Sequence, residues 1–196
     1  MQPQREWLSA TGRSASTIDK SAVDQMDKVD TRYTPLKTPI EDDLTFERQI
    51  GQGAFARVFL ATTKKSDFAV AVKIMKKSEN PYCMQEIEMM HRVSHEFVMP
   101  LLATYQTEEE MMLVTPYYSG CDLFDYIEQT YESGNQIPEQ DALVLAAQML
   151  SAAEALHRAG VVHLDIKPEN FMFASKEMGS DLVLVDFGSA EPMKLV

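Results

Sequence analysis

Within the run VVHLDIKPEN (161–170) three side chains are suited to moving a phosphoryl group. Asp165 can orient a hydroxyl and accept its proton. Lys167 can neutralise charge developing on the transferred group, and Asn170 offers an amide oxygen to Mg²⁺. Pro168 stiffens the loop that carries them. Asp, Asn and Pro also favour plain turns, so it is the presence of all three tasks in one short loop that points to chemistry. Further on, the apolar run LVLV delivers Asp186, a carboxylate that supplies the hard oxygen ligand an asparagine alone does not.

Upstream, GQGAFA (51–56) fits either a tight turn between strands or a loop whose Gly51, Gln52 and Gly53 bring backbone N–H groups close to a polyphosphate. It joins two strands rather than a strand and a helix, which disfavours a dinucleotide or Walker-type site. Ala56 stands where a third glycine would complete the pattern. Lys73 ends the alternating run FAVAVK, where an inward ammonium among apolar neighbours needs an anion. In the helix that follows, Glu86 shares a face with Met90 and Val93, whereas Glu88 shares the opposite one with Arg92 and His95. Glu86 is therefore the partner expected for Lys73; two unrelated surface charges are the alternative.

These residues need elements to hold them. LTFERQI, RVFLATT and FAVAVKIM read as antiparallel strands, YCMQEIEMMHRV as a helix, and LLATYQ and MMLVTPY as two further strands around an acidic turn. After Ser119-Gly120 the pattern turns helical: DLFDYIEQTY is short, and PEQDALVLAAQMLSAAEALHRAG is long, with Leu143, Ala146, Leu150 and Ala153 at helical spacing. Pro138 suits its first turn and Gly160 its C-terminal cap. A short strand pair, FMF and DLVLV, follows.

The set GQGAFARV, VAVK, Glu86, HLDIKPEN and DFG, in that order from Leu44 onward, resembles a eukaryotic-type protein kinase, and the lysine in DIKPEN resembles the serine/threonine kinases. The fold class this implies is α+β, with a five-stranded antiparallel small lobe carrying one helix (44–118) and an incomplete helical lobe (119–196). The resemblance implies ATP and Mg²⁺ as cofactors and a protein Ser or Thr hydroxyl as acceptor. Lys73 would hold the α- and β-phosphates and pair with Glu86, Asn170 and Asp186 would bind the metal, Asp165 would serve the hydroxyl, and Lys167 would steady the γ-phosphate. Adenine would lie between Ile50, Val58, Ala71 and Met172, at a hinge Pro116-Tyr117-Tyr118 behind the gatekeeper Thr115, with Asp122 at the ribose. Asp122 and Glu169 would favour basic residues upstream of the target. Leu164 stands where an arginine usually precedes the catalytic aspartate, which removes a cation that would read a phosphorylated activation loop and is similar to some calmodulin-regulated kinases.

Composition sets the outer limits. A net charge of −12 disfavours nucleic acid and anionic membranes, and no run approaches the about 20 apolar residues of a membrane span. Cys83 and Cys121 lack disulfide or zinc spacing, which suits a reducing, intracellular setting. Residues 1–43 mix Ser, Thr, Pro and charge without periodicity and are expected to form a flexible tail, with Thr34, Thr38 and Ser16 as phosphorylation targets. The sequence stops eight residues after Gly188, so a fragment is expected, with poor turnover by itself and an apolar long-helix face open to self-association or a chaperone. A nucleotide-binding or interaction module without turnover, and a small-molecule phosphotransferase, are the alternative readings.

Overall fold

Alternating side chains on three consecutive strands divide the sheet into two faces with different duties. The computed structural model describes residues 35–177 and 179–194. β1 (Leu44–Gln52), β2 (Ala56–Thr63), β3 (Ala69–Lys76), β4 (Ala103–Gln106) and β5 (Glu110–Pro116) form one antiparallel sheet in the order β1-β2-β3-β5-β4. Val70 and Val72 point to an outer core with Leu44, Ala61, Met112 and Val114, while Ala71 and Lys73, one position out of phase, face a cavity on the other side. β1 runs on through Gly51 and Gln52, which pair with Val58 and Arg57, so the connection expected over 51–56 shrinks to a turn over 53–55 closed by Gly53 N–H donating to Ala56 O at 2.9 Å. Register shifts after Phe46 and Gln49 increase the twist of this edge.

The outer core corrects the boundary of the tail. Residues 1–34, with Ser16 and Thr34, lie outside the described residues, but 36–43 are ordered against the sheet. Leu36 joins the exposed edge of β4, donating to Thr104 O at 2.9 Å and accepting from Gln106 N at 2.8 Å. Backbone pairing of this kind covers an edge that would otherwise offer unpaired N–H and C=O groups. Ile40, 3% exposed, plugs the outer core at the start of a 3₁₀ turn (Ile40–Asp42). Asp43 then accepts from Tyr105 Oη at 2.8 Å and from Lys64 N at 2.9 Å. Two apolar residues four apart among polar ones carry too weak a period to announce this strap. Thr38 lies on it, exposed.

α1 (Cys83–Arg92) crosses the inner face and buries Cys83, Glu86, Ile87, Met89 and Met90. Beyond Tyr118 the chain forms α2 (Leu123–Glu132) and α3 (Glu139–Arg158), and Gly160, at φ +69°, supplies the left-handed residue after α3. Gly120 packs so closely that a Cβ there would lie 2.4 Å from Phe173 O. α3 turns Leu145, Met149, Ala152 and Leu156 to the core. The face bearing Leu143 and Leu150 is open, 58% and 71% exposed. β6 (Val161–Val162) pairs with β9 (Glu191–Pro192), and β7 (Phe171–Phe173) with β8 (Leu182–Leu184). The segment at Phe97–Met99 bonds to both sides of Leu184 and stitches the sheet region to the β7-β8 pair. Between β6 and β7, His163 is buried against the Phe187 ring, centroids 5.3 Å apart. No helix among the described residues is long and apolar enough to cross a membrane.

Two outcomes follow from this packing. Ile40→Ala should lower stability by about 2–4 kcal/mol, read from urea unfolding, whereas Thr38→Ala on the exposed side of the strap should change it little; equal, small effects would mean that the strap is not part of the folded core. Burial holds the His163 imidazole below its ordinary pKa, so the unfolded chain takes up that proton first and stability falls as pH drops below about 6.5. His163→Leu should remove this increment, seen as a smaller loss of melting temperature between pH 7.5 and 5.5 than in the unsubstituted chain.

Candidate active site

Lys73 stands in the middle of β3, opposite Val58 on one side and Leu113 on the other, so its backbone is fixed by two ladders. Its Nζ donates to Glu86 Oε1 at 2.6 Å and to Asp186 Oδ1 at 2.9 Å. Three separate elements thus converge on one ammonium: β3, the first turn of α1, and the chain just after β8. Burial pulls the Lys73 pKa down, but the two carboxylates outweigh it and hold the group above its ordinary value. Burial pushes the Glu86 carboxyl up, with Lys73 opposing, and its Oε2 is buried without a hydrogen-bond partner. Asp186 resists the upward pull of burial because Lys73 lies beside it and Gly188 N–H donates to it, and its pKa is lowered.

The ammonium borders a cavity of about 720 Å³ between the sheet and β7. Ile50, Gly53, Val58 and Ala71 line the sheet side, Met172 and Val185 the opposite side, and Thr115 to Tyr118 the rear edge. Thr115 is buried. Tyr118 packs on Val183 and Val185, and burial pushes its phenol well up. Asn170 and Asp186 also reach this cavity.

The loop after β6 is organised by its own side chains. Asn170 Nδ2 donates to Asp165 O at 2.7 Å and to Asp165 Oδ2 at 2.9 Å, while Lys167 Nζ lies 2.9 Å from the same carboxylate oxygen. Lys167 first, then Asn170, hold the Asp165 carboxyl below the usual range, so it is ionised at neutral pH. With its nitrogen spent on Asp165, the buried Asn170 leaves its amide oxygen for a cation; with the Asp186 carboxylate this is an oxygen donor set of the kind Mg²⁺ takes.

Several residues sit differently from their sequence expectation. Asp122 Oδ1 accepts from Asp125 N at 2.8 Å, the N-cap of α2, and Asp122 does not line the cavity. Gly51 and Gln52 belong to the paired part of β1 and do not line it either. Glu169 does. Phe55, Met99 and Leu113 line the cavity as well, although sequence reading did not single them out. Leu113 was within reach: in the alternating MMLVTP it shares the face of Thr115. Met99 was not, because a loop pairing with β8 places it.

Residues 44–195 match the family model described as the protein kinase domain. Over 159 residues the chain is 36% identical to a probable serine/threonine-protein kinase, pXi, of Dictyostelium discoideum, covering 80% of this chain and 22% of that protein. It is 33% identical to myosin light chain kinase A of the same organism, over 77% of this chain and 52% of the relative. It is 34% identical to a calcium/calmodulin-dependent protein kinase type 1 of Macrobrachium nipponense, over 76% and 44%. The chain therefore spans between about a fifth and a half of these relatives' own length. With its sheet, its lysine between two carboxylates and its Asp165–Asn170 loop in the same order along the sequence, the chain belongs to the protein kinase domain family.

Proposed function

We propose that the chain carries the nucleotide site and phosphoryl-transfer centre of a serine/threonine protein kinase. The observation that supports this most is Lys73, held between Glu86 and Asp186 at the wall of a cavity that runs back to Thr115 and Tyr118. The apolar walls at Ile50, Val58, Ala71 and Met172 suit a flat purine, and the backbone at Pro116–Tyr118 offers polar groups at its edge. Lys73 then faces the α- and β-phosphates.

Charge balance indicates what else is needed. Lys73, Glu86 and Asp186 sum to −1, and Lys167 only cancels Asp165. A polyphosphate gains little attraction from such a site. Mg²⁺ held by Asn170 and Asp186 would supply the missing positive charge at the phosphates. Asp165, ionised and fixed by Lys167 and Asn170, is a weak base; its task is to orient a Ser or Thr hydroxyl toward the phosphorus and take the proton late. Lys167 steadies the charge on the group in transit.

The preferred protein substrate carries basic residues upstream of the target. Glu169 at the cavity edge supports this, whereas Asp122 contributes through its charge alone, since its carboxylate caps α2. The open Leu143 and Leu150 face of α3 is the surface on which a chaperone or a second copy would act.

At a Mg-ATP concentration a hundredfold above Kd, linkage should raise the melting temperature by about 5–10 °C. Lys73→Met should abolish the rise. Asp165→Asn should keep it while lowering phosphate transfer to a Ser/Thr peptide at least about a hundredfold. A full ATP-dependent shift in Lys73→Met would remove Lys73 from the site; peptide phosphorylation that survives Asp165→Asn would remove Asp165 from the reaction.

A further inference from the structure

Gln85 immediately precedes Glu86 on α1, and its Nε2 donates to the carbonyl oxygen of Ala190 at 2.8 Å, four residues beyond Asp186. We propose that Gln85 is a positioning residue that ties the helix bearing Glu86 to the backbone following Asp186, so that Lys73 is gripped from both sides only while that backbone lies along β6.

The surroundings make a tether of this kind necessary. α1 begins at Tyr82 without a side-chain cap, so nothing in its own first turn fixes where the helix stops sliding. Its inner contacts are Cys83, Ile87 and Met90 in one core with Phe187 and Ala190. Apolar contacts are non-directional and tolerate a shift, whereas a hydrogen bond fails once donor and acceptor part or misalign. Glu86 gives only one oxygen to Lys73 and has the other buried without a partner, so the ion pair alone holds it weakly in place. On the far side Ala190 is itself held: its N–H donates to Phe187 O at 3.0 Å, Glu191–Pro192 pair with Val161–Val162, and Met193 N–H donates to Gly160 O at 2.8 Å. Gln85 thus transmits the seating of β9 to α1. Drawing the chain beyond Ala190 away from β6 would release the helix, and with it one of the two carboxylates on Lys73.

The coupling stands on geometry alone; its effect on nucleotide rests on the phosphoryl-transfer reading above, and two readouts separate them. In the full 196-residue chain, Gln85→Leu keeps bulk without polarity, Gln85→Glu keeps shape but loses the donor, and Gln85→Lys keeps a donor. Without nucleotide, the Leu and Glu variants should speed hydrogen exchange at the Ala190 and Met193 amides roughly three- to tenfold, the factor expected for one net hydrogen bond, with Lys near the original. Mg-ATP affinity should fall by a similar factor in the same two variants. Unchanged exchange in Leu and Glu overturns the tether, and so does equal loosening in Lys, which would assign the effect to packing. Altered exchange with unaltered affinity overturns the claim that the tether positions Lys73. Altered exchange in a chain that binds no Mg-ATP even before substitution upholds the tether and removes the nucleotide reading instead.

Discussion

Taking one lysine ammonium and two carboxylates out of water costs several kcal/mol for each ion, and their mutual attraction offsets this only when the geometry is tight. Lys73, Glu86 and Asp186 meet at 2.6 and 2.9 Å, yet they come from positions up to 113 residues apart. The arrangement therefore makes demands on everything that places them. β3 must be central, with a ladder on each side, so that Lys73 does not wander. α1 must lie across the inner face with its first turn toward the sheet. The chain after β8 must turn sharply at Asp186, which it does at φ +58°. Removing any one leaves a buried charge without compensation, which is why the triad reads as the organising feature of the fold and not as decoration on it.

Part of this was legible because it follows from short-range periodicity. Alternation in FAVAVK placed Lys73 inward, and the helical spacing of Glu86 with Met90 and Val93 separated it from Glu88, which pairs instead with Arg92 on the outer side. What remained hidden depends on partners far away in sequence. β6 and β9 are two residues each and form only because the chain after Phe187 returns to them. Asp122 looks like any exposed acid until the start of α2 is known, at which point capping explains it. Gln85 is a polar residue on the flank of an amphipathic helix, and nothing in the period of α1 reveals that a carbonyl from 105 residues downstream waits for it.

The strap at Leu36–Asp43 shows the same dependence from the opposite face of the sheet. Val70 and Val72 flank Ala71 and Lys73 on β3, so the packing of the outer core and the position of the ammonium are set by one strand. Interiors are packed too densely to absorb a vacancy locally. Ile40, Leu44 and the Tyr105–Asp43 bond thus stiffen the sheet that carries Lys73, although none of them approaches the cavity. A segment with the composition of a flexible leader becomes structural through two well-placed apolar side chains and an edge strand in need of partners.

The two acidic residues proposed for metal and hydroxyl are placed by a different device. His163 and Phe187 stack edge to face in the core, and each is next to a residue forced into the left-handed region: Leu164 at φ +64° after His163, and Asp186 at φ +58° before Phe187. Such conformations cost on the order of 1–3 kcal/mol for a non-glycine residue, less for Asp than for Leu. Fully burying an aromatic ring such as Phe187 returns about 1.5–3 kcal/mol, enough to sustain one of these turns. The reversal at Leu164 leaves its own side chain 61% exposed while His163 goes inward, and the next residue, Asp165, is delivered to the Asn170 bond rather than to the core. The reversal at Asp186 does the same for a carboxylate whose neighbours Val185 and Phe187 are both buried. A hydrophobic pair therefore aims two charged ones, and the strain sits in the backbone between them, where an apolar core and a polar cleft must be served by adjacent residues.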